Sequence, residues 1–252
     1  MSNLSARTGG RYALLDELRG LDLISMMLYH GMWDLVYLYG VSIPWYSERP
    51  GYIWQQTICW IFILLSGFCV PLGHRTVQRG VTVFAAGALV TLVTWIAMPE
   101  DLVLFGVLTF LGSAMIATGL LRRWLERIPA WIGLVASVVL FVVTRNINSG
   151  FLGFEGLSLG MVPGNWYANN ITAFLGFPQP SFYSTDYFSL FPWLFLFWTG
   201  YFLHRVIGKG RMEFLACSVC PPLGWMGRHS LLIYLLHQPV IYGVLTLVFM
   251  LR

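Results

Sequence analysis

Long apolar stretches separated by short polar connections run along the whole chain. A helix needs about 20 mostly apolar residues to cross a bilayer, and seven stretches reach or approach that length. They predict seven transmembrane helices, with a single long connection between Thr144 and Asp186. The predicted helices are Leu14–Tyr39, Gly51–Leu72, Val81–Met98, Leu102–Leu121, Ala130–Val143, Tyr187–Leu203 and Ser230–Leu251.

The composition also indicates an integral membrane protein. Of the 252 residues, 57% are hydrophobic and only 10% are charged, whereas soluble domains contain about 25% charged residues. The predicted fold class is an all-α, polytopic helical bundle, in which residues 1–252 form a single domain. Because the basic residues are scattered over short loops, the net charge of +4 does not indicate nucleic-acid binding.

The basic residues predict how the helices are oriented. Cytoplasmic loops carry an excess of Lys and Arg, and a cytoplasmic amino terminus places twelve of the 15 basic residues inside. The remaining Arg49, Arg145 and Arg252 would lie outside. The inner set is Arg7, Arg11, Arg19, Arg75, Arg79, Arg122, Arg123, Arg127, Arg205, Lys209, Arg211 and Arg228.

The first predicted helix contains a strong cation and an imidazole, Arg19 and His30. Both groups are costly to bury in a bilayer, which indicates a chemical task. Along a helix they lie roughly 16 Å apart at ~1.5 Å per residue. That separation suits a long ligand with phosphates at one end and a reactive group at the other, as in acyl-coenzyme A.

Two polar groupings share this helix. His30 and Asp34 are four residues apart and lie on one face. A carboxylate beside an imidazole supports proton transfer, so we predict that both are catalytic, although His30 could instead form a hydrogen bond within the bundle. Asp16, Arg19 and Asp22 predict either a local ion-pair ladder or a phosphate anchor centred on Arg19. Asp22 would lie deeper than the headgroups and needs a partner.

The connection after the second predicted helix contains His74, Arg75 and Arg79. The excess of basic residues in cytoplasmic loops is enough to explain them. A nucleotide with three phosphates would, however, also require several cations. We therefore include all three in the predicted coenzyme-binding set, with Arg79 as the second anchor after Arg19.

The Thr144–Asp186 connection is too polar and Gly-rich to cross a bilayer, yet rich in aromatic residues. It predicts a lid or re-entrant element over the outer mouth of the bundle. Mixed amide, charged and aromatic groups are suited to binding sugars, although interfacial belts show a similar aromatic enrichment. The predicted acceptor-binding residues are Arg145, Asn165, Trp166, Tyr167 and Asp186, together with His237 in the last predicted helix.

His237 and a cysteine pair leave alternatives open. His237 precedes Gln238 and Pro239 in mid-membrane, where it is either a structural polar contact or a direct participant in the chemistry.

Cys217 and Cys220 have the spacing of a metal-binding pair, but the sequence contains no second pair or nearby His cluster. We therefore expect no metal.

Three segments resemble known acyltransferases. R-Y-A-L-L-D-E-L-R-G-L-D-L-I-S-M-M-L-Y-H resembles the first-helix signature of transmembrane acyltransferases, in which ten residues separate an Arg from a His. F-I-L-L-S-G-F-C-V-P-L-G and G-R-H-S-L-L-I-Y-L-L-H-Q-P look like the heparan-alpha-glucosaminide N-acetyltransferase catalytic-domain family, in particular its short bacterial members. The likeness covers nearly the whole chain.

The resemblance implies an enzyme of the bacterial plasma membrane that transfers acetyl groups across the bilayer. Acetyl-coenzyme A would bind from the cytoplasm on Arg19, and His30 would deprotonate an amine or hydroxyl of an extracytoplasmic sugar or glycan. The loop Val41–Gly51 departs from the family because it lacks the functional His of the lysosomal members. The assignment of His30 therefore follows the first-helix signature. A homodimer is a further candidate assembly.

A small-molecule or proton-coupled transporter is the alternative function. His30, Asp34 and Asp22 would then form a proton path through the first helix. Many transporters contain paired internal repeats, and the sequence shows none.

Overall fold

The computed structural model describes residues 12–251, so Arg7, Arg11 and Arg252 of the orientation argument lie outside it. The described chain is mostly helical, and every predicted apolar segment contains a helix. In chain order the helices are α1 (Ala13–Trp33), α2 (Pro44–Ser47), α3 (Arg49–Cys69), α4 (Thr76–Ala97), α5 (Val107–Leu120), α6 (Arg122–Arg127), α7 (Ala130–Thr144), α8 (Asn170–Leu175), α9 (Trp193–Ile207), α10 (Pro221–Arg228) and α11 (Ser230–Met250).

Four helical segments among the described residues are long and apolar enough to cross a membrane. They are Arg49–Leu72, Thr76–Ala97, Ala130–Ser149 and Ser230–Met250. Helix α5 is apolar but shorter, α9 has only 15 residues, and α1 carries several charged residues near its amino end. The chain is therefore an integral membrane protein, while the count of seven spans and the cytoplasmic amino terminus stay predictions.

Two local features differ from uninterrupted helices and loops. Helix α1 continues into a π-helical turn, Asp34–Leu38, in which the Tyr39 N–H donates to the Asp34 carbonyl oxygen over 3.1 Å. The long connection contains an antiparallel hairpin of β1 (Phe151–Phe154) and β2 (Leu157–Met161). The role of this connection as a lid or re-entrant element stays a prediction.

The contacts divide the chain into two units. One combines the described residues up to Phe62 with those from Ile207 onward, and the other is Ile63–Val206. The single domain expected from the sequence stays a prediction, and each unit is described separately.

In the first unit, α1 packs against α10 and α11. Helices α1 and α10 approach so closely that a Cβ atom at Gly20 would overlap the Leu223 carbonyl oxygen, and one at Gly227 would overlap the Asp16 carbonyl oxygen. Further along α1, Leu23 and Met26 form an apolar cluster with Ile58 and with partly buried side chains of α11. These contacts determine which α1 side chains face α11.

In the second unit, α4 packs along α5, and β1 packs against α7. The Arg205 guanidinium of α9 donates to the carbonyl oxygens of Leu125 (2.7 Å), Ile128 (3.1 Å) and Glu126 (3.2 Å). It thereby provides a hydrogen-bond donor to three carbonyl groups at the carboxyl end of α6. Arg205 thus has a structural role in this unit.

Candidate active site

His30 lies in the last turn of α1 and packs against α11. Its ring centroid is 4.9 Å from that of His237, with 60° between the planes, and 6.0 Å from that of Tyr29. No residue in the described part of the chain forms a hydrogen bond with the His30 ring nitrogens. The imidazole therefore retains both of its ring nitrogens for a ligand.

His237 has a defined tautomer. Its Nδ1 lies 2.5 Å from the Tyr234 carbonyl oxygen, and because a carbonyl only accepts, Nδ1 donates in this bond. In the neutral ring, Nε2 then carries the lone pair. That Nε2 is buried and has no hydrogen-bond partner within residues 12–251. The structure thus places two imidazoles side by side, one of them with its basic nitrogen identified.

Asp34 is fully buried at the start of the π-helical turn, with 0% of its surface exposed. The Gln238 Nε2 donates to its Oδ1 over 2.6 Å. Two adjacent residues of α11, His237 and Gln238, therefore contact the two members of the predicted catalytic pair. The structure shows no hydrogen bond between the His30 and Asp34 side chains, and the catalytic role of Asp34 stays a prediction.

The amino-terminal half of α1 holds Arg19 and three acids. Arg19 Nη1 lies 3.4 Å from Asp16 Oδ1, which is the local ion pair predicted as one alternative for this segment. Glu17 accepts hydrogen bonds from Ser218 Oγ (2.5 Å) and from the Val219 N–H (3.0 Å) just before α10. The third acid, Asp22, is buried.

The remaining coenzyme-binding candidates lie in the second unit. His74, Arg75 and Arg79 are exposed around the amino end of α4. Arg75 directly precedes the helix with φ of 60°, a left-handed conformation that is uncommon for residues other than glycine. A Cβ atom at Gly73 would overlap Arg79 Nη1, so this glycine makes room for the guanidinium. The three basic side chains are therefore neighbours at one helix end.

The acceptor-binding candidates of the second unit have separate partners. The Arg145 guanidinium lies 4.9 Å from the Trp193 ring centroid and 3.3 Å from Glu155 Oε1. Asp186 Oδ2 accepts from the Val107 N–H over 3.1 Å at the amino end of α5. Both residues thus already serve local structure in this unit.

The aromatic candidates form a further group. Asn165 and Trp166 are exposed, and the Trp166 and Tyr167 rings contact Phe177 at centroid distances of 5.1 and 5.6 Å. The Tyr167 hydroxyl donates to the Ile147 carbonyl oxygen over 2.5 Å, and burial raises the pKa of Tyr167. The Trp166 indole and the Asn165 amide are therefore accessible to a ligand, while the Tyr167 hydroxyl already forms a hydrogen bond within the protein.

Residues 11–239 match the family model described as "Heparan-alpha-glucosaminide N-acetyltransferase, catalytic". The chain belongs to this family. The resemblance inferred from the sequence is thereby confirmed, and membership indicates an acetyltransferase embedded in the membrane. Comparison with curated proteins and with solved structures found no significant match. The match includes both imidazoles, Asp34 and Gln238.

The sequence did not reveal which residues form hydrogen bonds with the candidate catalytic groups. In the first unit these are Gln238, which donates to Asp34, and the Tyr234 carbonyl, which accepts from His237. Gln238 directly follows His237, and a polar residue beside a mid-membrane histidine was the available signal. No group of three His, Cys, Asp or Glu side chains within residues 12–251 could hold a metal ion.

Proposed function

We propose that the protein transfers an acetyl group from cytoplasmic acetyl-coenzyme A to an amine or hydroxyl of an extracytoplasmic sugar or glycan. The observation that carries this proposal is the unbonded His30 imidazole beside His237. Membership of the family supports acetyl transfer. The name of the family suggests a sugar acceptor, and the Arg19–His30 spacing suggests a coenzyme donor.

His30 acts as the general base in this proposal. It accepts the proton of the acceptor while the acceptor nitrogen or oxygen bonds to the thioester carbonyl carbon. The carbon–sulfur bond then breaks, and the thiolate takes up the proton held by His30, so that coenzyme A leaves as the free thiol and the imidazole returns to its neutral form. The lone pair on His237 Nε2, beside this ring, would stabilise the imidazolium that forms on His30.

Arg19 is the proposed phosphate anchor. It lies roughly 16 Å from His30 along the helix, and its Asp16 partner at 3.4 Å leaves guanidinium donors for phosphate oxygens. In the second unit, Arg75 and Arg79 offer further exposed guanidinium groups, and His74 offers an exposed imidazole. This arrangement requires the predicted topology: seven spans, a cytoplasmic amino terminus and a bacterial plasma membrane.

The acceptor-binding residues predicted from the sequence are proposed for each unit separately, with His237 in the first unit and the outer connection in the second. Trp166 offers a half-exposed indole face for a sugar ring, and Asn165 offers an exposed amide. Arg145, Tyr167 and Asp186 would contribute from their present positions. A homodimer remains a prediction of the sequence alone.

Coenzyme protection and label transfer test the proposal. Acetyl-coenzyme A should raise the melting temperature of the purified protein, and this shift should be lost in Arg19→Ala but kept in the matched surface variant Arg211→Ala. Labelled acetyl-coenzyme A incubated with an envelope-glycan extract should yield a labelled glycan. A protein that shows neither response, but carries a pH-driven flux in vesicles, would be a transporter.

A further inference from the structure

Asp22 is a buried acid without a partner in the described part of the chain. Only 6% of its surface is exposed, and no residue within 12–251 gives it a hydrogen bond or an ion pair. Burial to this extent removes most of the hydration of a carboxyl group, whether it is ionised or protonated. The position therefore favours a ligand that brings a hydrogen-bond donor to Asp22.

The neighbouring acids make the contrast clear. Asp16 binds Arg19, and Glu17 binds the segment before α10. Asp22 lies three residues after Arg19, a spacing that permits an ion pair on a helix, yet the guanidinium bonds to Asp16. The protein thus satisfies two of the three acids and leaves the deepest one unsatisfied.

The position of Asp22 identifies the class of donor. It lies roughly 4.5 Å beyond Arg19 and roughly 12 Å short of His30 along the axis of α1. A molecule that joins a phosphate on Arg19 to a thioester at His30 passes this level. In acyl-coenzyme A, the connecting part is the pantetheine arm, which carries one hydroxyl and two amide N–H groups.

We propose that the Asp22 carboxylate accepts hydrogen bonds from the pantetheine arm of the acyl donor. This inference rests on the proposed function and adds the group that recognises the middle of the donor. Because Asp22 lies closer to Arg19 than to His30, its donors are the hydroxyl and the amide on the phosphate side. The amide next to the sulfur lies nearer to His30.

A series of three acetyl donors separates this role from a general structural one. Acetyl-coenzyme A has the complete arm and the phosphates, S-acetylpantetheine has the arm alone, and S-acetyl-N-acetylcysteamine keeps only the amide next to the sulfur. Asp22→Leu should raise the KM for the first two donors about tenfold, as expected for loss of a hydrogen bond to a charged group. The KM for the shortest donor should not change.

Two further variants complete the design. Asp22→Asn keeps one acceptor oxygen and should raise the KM less than Asp22→Leu does. Arg19→Ala should raise the KM for acetyl-coenzyme A but not for S-acetylpantetheine, because only acetyl-coenzyme A carries the phosphates that Arg19 would bind. Glu48→Gln, an exposed acid in the same unit, is the matched control and should behave as wild type.

The outcomes distinguish this inference from the proposed function. Equal KM increases for all three donors, or none in either Asp22 variant, would overturn the role of Asp22 while acetyl transfer stands. If Asp22→Leu does not fold, the test is the shift in melting temperature that coenzyme produces in Asp22→Asn. A shift as large as that of the wild type overturns the inference. A wild-type protein that neither transfers acetyl nor responds to coenzyme A overturns both.

Discussion

Polar side chains near the two ends of α1 differ in the partners that the protein gives them. In the amino-terminal half, Asp16 and Glu17 bind other parts of the protein, and Gly20 allows α10 to approach backbone to backbone. At the carboxyl-terminal end, His30 contacts other rings but forms no hydrogen bond with residues 12–251. Asp16 and Glu17 thus help to build the fold, whereas the His30 imidazole is available for chemistry, as Asp22 is in the inference above.

This difference clarifies what a polar residue in an apolar helix signifies. The cost of burial alone indicated function for the whole polar set of the first helix. The structure separates that set by its partners, because a satisfied carboxylate such as Glu17 is explained by packing. A group without a hydrogen-bond partner among residues 12–251, such as His30, is available to a ligand.

The largest effect is expected from His30→Ala. Loss of a general base lowers the rate by about a hundredfold to ten-thousandfold, and acetyl transfer should fall to that extent. The melting temperature and the coenzyme-induced shift should remain, because the ring has no hydrogen bond to lose. Radiolabelled acetyl transfer and thermal melting measure the two effects on the same sample.

A histidine elsewhere in the same unit provides the control. His229 is exposed before α11, with its Nδ1 2.9 Å from the Trp225 carbonyl oxygen. His229→Ala should therefore transfer acetyl at the wild-type rate. If the folded His30→Ala protein did the same, the carboxyl-terminal half of α1 would have no catalytic role.

Gly20→Ala should damage the structural half. The new methyl would overlap the Leu223 carbonyl oxygen, so one backbone must shift, at a cost of about 3 kcal/mol in the free energy of unfolding. Gly31→Ala on the same helix is the control, because its Cβ would lie 3.8 Å from the nearest atom, in Ile241. Thermal melts in detergent should show a loss for the first variant alone, and equal melts would refute the close contact.

Glu17→Ala tests the same half through a hydrogen bond. The Ser218 hydroxyl and the Val219 N–H lose their acceptor, so the melting temperature should fall, by less than in Gly20→Ala. Ser218→Ala should have a smaller effect. Since both variants remove one shared contact, the double variant should melt close to Glu17→Ala. Strictly additive losses would show that the two residues do not act together.

Helix positions were largely predictable because each depends on a local apolar run. The prediction Ala130–Val143 ends one residue before α7 does, whereas the predicted start at Leu102 precedes α5 by five residues. The π-helical turn at Asp34 was not foreseen, because its residues also suit an ordinary helix. The β1–β2 hairpin was missed because the strands are short and contain glycine.

The sequence suggested members of the candidate site, whose roles stay predictions, but it did not indicate how they pair. His30 and His237 were both identified as costly intramembrane groups, yet their contact depends on how α1 and α11 align, which no local pattern encodes. Asp34 was paired with His30 by helix spacing, whereas its carboxylate bonds to Gln238, 204 residues away. Periodicity places side chains on a face, and tertiary packing selects their partners.

Gln238→Met should have the smallest effect, and it tests whether the Asp34 bond belongs to the fold or to the chemistry. The methionine keeps the length of the side chain but removes the Nε2 donor 2.6 Å from Asp34 Oδ1. Loss of one donor to a buried carboxylate should cost about 1 kcal/mol in the free energy of unfolding. If Asp34 only stabilises the unit, the turnover rate should stay at the wild-type value while the melting temperature falls. If Asp34 supports the imidazole pair, the rate should fall by more than the loss of folded protein explains. Gln78→Met, at an exposed position of α4, controls for the new side chain.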